Sequence, residues 1–171
     1  MVIYFITMKR FDTLSIRLAL FMVLFTAITG EAYPQDHIRE LGAVREAMSQ
    51  VGSKLPDLIK KSDPKYLRTL ERVFEINNYA LVTIESYMKM VKVAVSSGGT
   101  INKDIVTVLN GWLGFIKHYC EYDVKYFDEA LAETQDDSII SILKKEKENI
   151  TKLMNISEKG VSENVALSKK L

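Results

Sequence analysis

Apolar residues recur at intervals of three and four along four stretches of the chain, and this spacing predicts four amphipathic helices. The first stretch covers residues 36–61, and Pro56 should kink or interrupt it. The second begins at Asp63-Pro64, where Asp63 suits the N-cap and Pro64 the first helical position. The other predicted boundary residues are Gly98-Gly99 as the end of the second stretch, Thr100 or Asn102 as the cap of the third, and Asp136 or Asp137 as the cap of the fourth.

Each stretch carries one apolar stripe, which we expect to face the core, and Asn77 is the polar member of the second stripe. Beyond Met154 the apolar positions thin out, so we expect the last turns of the fourth helix to fray. The stripe members in chain order are Leu41, Val44, Met48, Val51, Leu55 and Leu58; Leu67, Leu70, Phe74, Leu81, Ile84, Met88, Val91 and Val95; Ile105, Val108, Trp112, Phe115, Tyr119, Tyr122 and Tyr126; and Ile139, Ile140, Leu143, Ile150, Leu153 and Met154.

No stretch shows the alternation of β-branched and polar residues that is typical of strands. Four amphipathic helices with short connections predict an all-α fold, an antiparallel up-down four-helix bundle. Because the stripes keep a nearly heptad period, extended helical coiled-coil hairpins are the alternative.

An uncharged run of 13 residues lies between Arg17 and Glu31, and it is too short to cross a bilayer, which needs about 20 apolar residues. A basic flank precedes this run, and the small residues before Tyr33 suit a cleavage site. The pattern predicts a signal peptide over residues 1–32 and one domain over residues 33–171, with Met8 as the alternative start of the signal peptide. We therefore expect export to a periplasm or secretion, with tethering by an uncleaved signal anchor as the alternative.

The chain is almost neutral, with 23 basic and 22 acidic residues, and removal of residues 1–32 leaves 20 of each. This balance argues against nucleic acid as a partner. After cleavage no apolar run approaches spanning length, so we expect no stable membrane span.

Residues 121–137 carry seven acidic residues against Lys125, and residues 60–72 carry five basic residues against two acidic ones. Solvated helix ends are the favoured interpretation of both patches, with charge-guided or head-to-tail assembly as the alternative.

Candidate chemistry is sparse. The two histidines, His37 and His118, and the single cysteine, Cys120, cannot supply a zinc site, and His118 with Glu121 gives one reversed copy of the di-iron motif. We predict no catalytic set, no metal site and no cofactor. Cys120 is expected to be a buried thiol, with an intermolecular disulfide as the alternative.

Two glycines flank Trp112 in the third stretch, at Gly111 and Gly114. A glycine inside a helix costs about 1 kcal/mol relative to alanine, so a reason is expected. A close helix contact, a small pocket beside Trp112, or a break in the helix would each supply one. If there is a pocket, its candidate lining residues are Trp112, His118, Tyr119, Tyr122 and Asn77, and Asn77 is also a candidate partner for the tyrosine hydroxyl groups.

These observations predict a small exported bundle that acts without catalysis, through a protein partner or as a homo-oligomer. The alternative function is binding of a small ligand or cofactor near Trp112 and His118. The two sequons, at Asn149 and Asn155, would accept glycans only in a eukaryotic secretory pathway.

Overall fold

The computed structural model of the protein describes residues 36–96 and 101–171. The predicted signal peptide and the Gly98-Gly99 terminator lie outside these residues. The described residues form five α-helices and one 3-10 turn, and they contain no strand, as the all-α prediction requires. The helices are α1 (Asp36–Gly52), α2 (Leu55–Lys61), α3 (Leu67–Ser96), α4 (Lys103–Glu133) and α5 (Asp137–Ser168), and the 3-10 turn is Pro64–Tyr66.

Three of the predicted caps are confirmed. The carboxylate of Asp63 accepts a hydrogen bond from the Lys65 backbone N–H, and Pro64 opens the 3-10 turn that leads into α3. The Asn102 side chain accepts from a backbone N–H in the first turn of α4, and Asp136 accepts from two at the start of α5. These caps pair N–H groups that have no partner within the helix, so they fix where the helices begin.

The four long helices form an up-down antiparallel bundle, which confirms the predicted fold. Helix α1 packs against α3 and α5, and α4 packs against the same two helices, with the most extensive contact between α4 and α5. The antiparallel direction of α4 and α5 shows in two ion pairs, Lys117 with Glu158 and Asp128 with Lys147. The short helix α2 follows α1 after a break between Gly52 and Leu55. The predicted interruption therefore occurs, and Pro56 lies in the first turn of α2.

The predicted core stripe of α4 is wrong. Of that stripe, Val108, Phe115, Tyr119 and Tyr122 are between 40% and 60% exposed, and its other three members are only half-buried. A second stripe of smaller residues, displaced around the helix by about 100°, faces the core instead. Its buried members are Val106, Leu109, Leu113, Ile116, Cys120, Asp123, Phe127 and Ala130. The tight contact with α5 accommodates aliphatic side chains, whereas tyrosine hydroxyl groups are left at the surface, where water solvates them.

The end of α5 also differs from the prediction. The helix does not fray after Met154 but continues to Ser168, because Ile156, Gly160 and Leu167 remain buried there. Gly160 lies in close packing, since a Cβ at this position would lie 2.8 Å from the Leu113 side chain on α4 and 3.0 Å from the His37 ring. Small and polar residues therefore continue the buried stripe where large apolar residues end.

Among the described helices, none is long and apolar enough to cross a membrane.

Candidate functional site

The most unusual surface of the bundle is an aromatic face that α3 and α4 share. It consists of Tyr79 on α3 and Trp112, Phe115, Tyr119 and Tyr122 on α4. The ring centroids of Tyr79 and Tyr119 lie 5.1 Å apart across the two helices, and those of Phe115 and Tyr119 lie 4.6 Å apart. Trp112 continues the row with an edge contact to Phe115. Tyr79, Phe115, Tyr119 and Tyr122 are each 40% or more exposed and Trp112 is half-buried, so these rings form a rigid apolar surface that is accessible to another molecule.

The glycines beside this face make no contact with a described residue that requires a glycine. A Cβ at Gly111 or Gly114 would meet nothing within 4 Å, and α4 is continuous through both positions. The helix break and the close approach of another described helix, two of the explanations offered by the sequence, are therefore wrong. Both glycines are exposed on the outward side of α4, next to the aromatic face.

Asp123 lies under the aromatic face, in a pit between α3, α4 and α5. The side chains of Tyr79, Phe115 and Tyr119 line this pit, together with Thr83 and Cys120, and its volume is about 10 Å³. Burial raises the pKa of Asp123, and the positive charge of Arg72 partly offsets this effect. Burial also raises the pKa of the Cys120 thiol to about 12, so this thiol is inert and an intermolecular disulfide would require α4 to separate from the bundle.

Asn77 belongs to a different site, a polar network in the middle of the core. Its amide nitrogen donates to the Met48 backbone carbonyl at 2.9 Å and to Glu146 Oε1 at 2.6 Å. The Asn149 amide donates to the other oxygen of Glu146 at 3.2 Å. Burial raises the pKa of Glu146, and the two asparagine hydrogen bonds work against that shift. The network joins α1, α3 and α5, so it fixes their alignment.

A second polar network connects the start of α1 to α3 and α5. His37 is fully buried, and its ring nitrogens lie 2.7 Å from Glu163 Oε2 and 2.9 Å from the Tyr87 hydroxyl oxygen. Nearby on α5, Asn164 is fully buried, and neither polar atom of its side chain has a hydrogen-bond partner among the described residues. Since His37 is buried on all sides, this network acts in packing rather than on a substrate.

The predicted pocket residues do not come together. Trp112, Tyr119 and Tyr122 lie along the outer side of α4, and His118 is exposed there, 3.8 Å from Glu121 and in edge contact with the Tyr122 ring. Asn77 is in the core and bonds no tyrosine, so its predicted role as a hydroxyl partner is wrong. No group of three metal-ligating side chains occurs in the described part of the chain.

Sequence reasoning missed Asp123, although a signal was available. Asp123 occupies a position of the aliphatic stripe of α4, three residues after Cys120 and four before Phe127. A charged residue in a core stripe is unusual, because burial of an unpaired charge is costly. The aromatic stripe, displaced by one residue, has the same spacing and hides this signal.

The two sequons are in different environments. Asn149 is 4% exposed and its amide bonds Glu146, whereas Asn155 is exposed on the outer side of α5. A glycan on Asn149 is incompatible with this packing. The acidic and basic patches lie at the same end of the bundle. There, hydrogen bonds from Ser138 and Ile139 lower the pKa of Asp136, and the charge of Lys65 adds a smaller effect in the same direction. This proximity fits the interpretation of both patches as helix ends.

A second depression lies between the C-terminal part of α3 and the start of α4. It has a volume of about 590 Å³, and its walls are almost entirely apolar. Its lining residues are Lys89, Met90, Val93, Ala94, Asp104, Ile105, Val108 and Leu109.

No protein-family model, curated protein or solved structure matches this chain.

Proposed function

We propose that this protein acts by binding another protein chain through its aromatic face, without catalysing a reaction. The observation that carries the proposal is the exposure of four rings that already contact one another or their neighbours on the surface. Tyr79, Phe115, Tyr119 and Tyr122 are 44%, 40%, 42% and 60% exposed. With side-chain areas of roughly 150–250 Å² each, these fractions leave roughly 280–470 Å² accessible. This is the size of the largest apolar patch on a typical monomer, and such patches are often functional.

The kinds of side chain on this face support binding rather than chance exposure. Tyrosine and tryptophan are enriched at protein interfaces, because a rigid ring contributes a large contact area at a small cost in conformational entropy. Gly111 and Gly114 support the proposal as well. Each lowers helix stability by about 1 kcal/mol, although a Cβ at either position would meet no described residue. Together they leave a low surface beside the rings on which a partner can approach the backbone.

The remainder of the proposal rests on the sequence. The basic flank, the short apolar run and the small residues before Tyr33 support export, and the partner is then a protein of the same compartment or a second copy of this chain.

A second candidate function is the binding of an apolar small molecule. The depression of about 590 Å³ beside Met90 and Val108 favours it, since this volume lies in the range of ligand sites. Neither Trp112 nor His118 lines that depression, so the candidate differs from the ligand site expected from the sequence.

Site-specific photo-crosslinking tests the main proposal. A benzophenone amino acid replaces Tyr122 on the aromatic face or, as a matched control, Val165, a 42% exposed apolar residue on α5. Each variant is irradiated in the organism that produces the protein, and adducts are identified by mass spectrometry. We expect one defined adduct from position 122 and none from position 165. Equal crosslinking at both positions, or none at position 122, would refute the proposal.

A further inference from the structure

Asp123 is a buried carboxylate that the bundle does not neutralise. Only 9% of the residue is exposed, yet no described residue donates a hydrogen bond or forms an ion pair with it. Arg72 is the cation whose charge lowers the pKa of Asp123, yet its guanidinium group bonds Glu75 at 3.2 Å instead. The contrast with Glu146 is informative, because that buried carboxylate accepts an asparagine N–H at each oxygen. The chain therefore satisfies one of these two carboxylates and leaves the other available.

The pit above Asp123 has the dimensions of one small polar group. Its volume of about 10 Å³ corresponds to a single water molecule. A primary ammonium group is of similar size, whereas a planar guanidinium group is several times larger. The rings of Tyr79, Phe115 and Tyr119 form part of the wall. A carboxylate below aromatic rings attracts an organic cation, because the charge pairs with the carboxylate and the attached carbon atoms pack on the rings.

We propose that Asp123 and the surrounding rings bind the ammonium group of a lysine side chain that the partner presents. This inference rests on the proposed function and specifies the chemistry of the partner. The partner surface covers the aromatic face with apolar side chains and carries one lysine directed at the pit. We infer a cationic partner from charge complementarity. An apolar surface without a cation would cover Asp123 completely and leave its charge unpaired, which is unfavourable.

A titration with n-butylammonium chloride, which reproduces the lysine side chain, tests the site without the partner. The full-length ¹⁵N-labelled protein is titrated at constant ionic strength, and amide shifts in α3 and α4 are followed by NMR, with 1-butanol as the neutral control. We expect saturable shifts around Asp123 with butylammonium and none with butanol. Asp123→Asn should weaken binding by about tenfold or more, whereas Glu121→Gln, which removes an exposed carboxylate on the same helix, should leave binding unchanged.

Shifts that do not saturate, or equal binding by wild type and Asp123→Asn, would overturn the proposal and assign the pit to an ordered water molecule. If Asp123→Asn does not fold, the wild-type carboxyl ¹³C signal gives the same answer. Bound butylammonium should lower the pKa of Asp123, and an unchanged pKa would refute the site. Because the partner is not involved, failure here leaves the crosslinking result at Tyr122 unaffected, and the two proposals can fail separately.

Discussion

Replacement of Asn77 by alanine should destabilise the bundle strongly, because Asn77 holds one oxygen of a fully buried carboxylate. The variant loses the 2.6 Å hydrogen bond to Glu146 and the 2.9 Å hydrogen bond to the Met48 carbonyl. Hydrogen bonds to charged groups contribute about 1.5–3 kcal/mol and neutral ones about 1 kcal/mol. The unbonded oxygen of Glu146 adds a desolvation cost of about 1–3 kcal/mol.

One contribution has the opposite sign. In the wild-type protein, Asn77 Oδ1 is buried and no residue in the described part of the chain donates a hydrogen bond to it, so its removal recovers about 1–3 kcal/mol. The balance is a loss of about 2–4 kcal/mol in the free energy of unfolding at pH 7, which is consistent with the cost of removing one partner of a buried charge. Asn78→Ala is the matched control, since Asn78 is exposed on the next position of α3, and its effect should stay within about 0.5 kcal/mol.

The pH dependence separates this explanation from simple loss of packing. Because burial raises the pKa of Glu146 above its ordinary value of 4.5, the native state binds this proton more readily than the unfolded state, and its charge destabilises the fold at neutral pH. Loss of the Asn77 hydrogen bond should raise this pKa further. The difference in stability between wild type and Asn77→Ala should therefore shrink as the pH falls through the pKa of Glu146. Urea denaturation at several pH values measures this difference in the free energy of unfolding. A difference below about 0.5 kcal/mol at pH 7, or a difference that does not change with pH, would refute the reasoning.

Three further outcomes follow from the packing and the charges. Gly52→Ala should lower the urea midpoint, because its Cβ would lie 2.6 Å from Asn77 Oδ1. The control Gly42→Ala should not lower it, because a Cβ there would meet nothing within 4 Å. Equal effects of the two substitutions would contradict the core geometry. Gly111→Ala should raise the free energy of unfolding by about 0.5–1 kcal/mol through helix propensity, and a destabilised variant would show that the glycine has a role within the fold. Asp123→Asn should be more stable than wild type at pH 7, with an advantage that disappears towards pH 4, because the raised pKa makes native Asp123 bind its proton more readily than unfolded Asp123. Thermal denaturation across this pH range measures the difference, and a constant or reversed difference would refute it.

The helices and their caps could be predicted because their signals are local. Asp63, Asn102 and Asp136 pair with N–H groups within three residues along the chain, so a short stretch of sequence contains the complete interaction. The bundle follows from the number of amphipathic segments and their short connections. These properties require no knowledge of which residues meet across the core.

The side of α4 that faces the core could not be predicted, because two stripes on this helix are apolar. Both repeat at three and four, and the contacts of α4 with α3 and α5 select the aliphatic stripe. The burial of Glu146 could not be predicted either, because one of its two partners, Asn77, comes from a different helix, while the other, Asn149, lies on the next turn of α5. Contacts between distant parts of the chain determine which polar residues can be buried.

The contribution of the aromatic face to binding is tested most directly by removing two of its rings. The double variant Tyr119→Ser/Tyr122→Ser and the control Val165→Ser are compared with wild type in affinity for the chain crosslinked at position 122, or in self-association if that chain is a second copy. We expect the double variant to lose about a hundredfold or more in affinity, with an unchanged thermal midpoint, and the control to bind as wild type does. An unchanged affinity in the double variant, or a loss that accompanies unfolding, would contradict the assignment of this face as the binding surface.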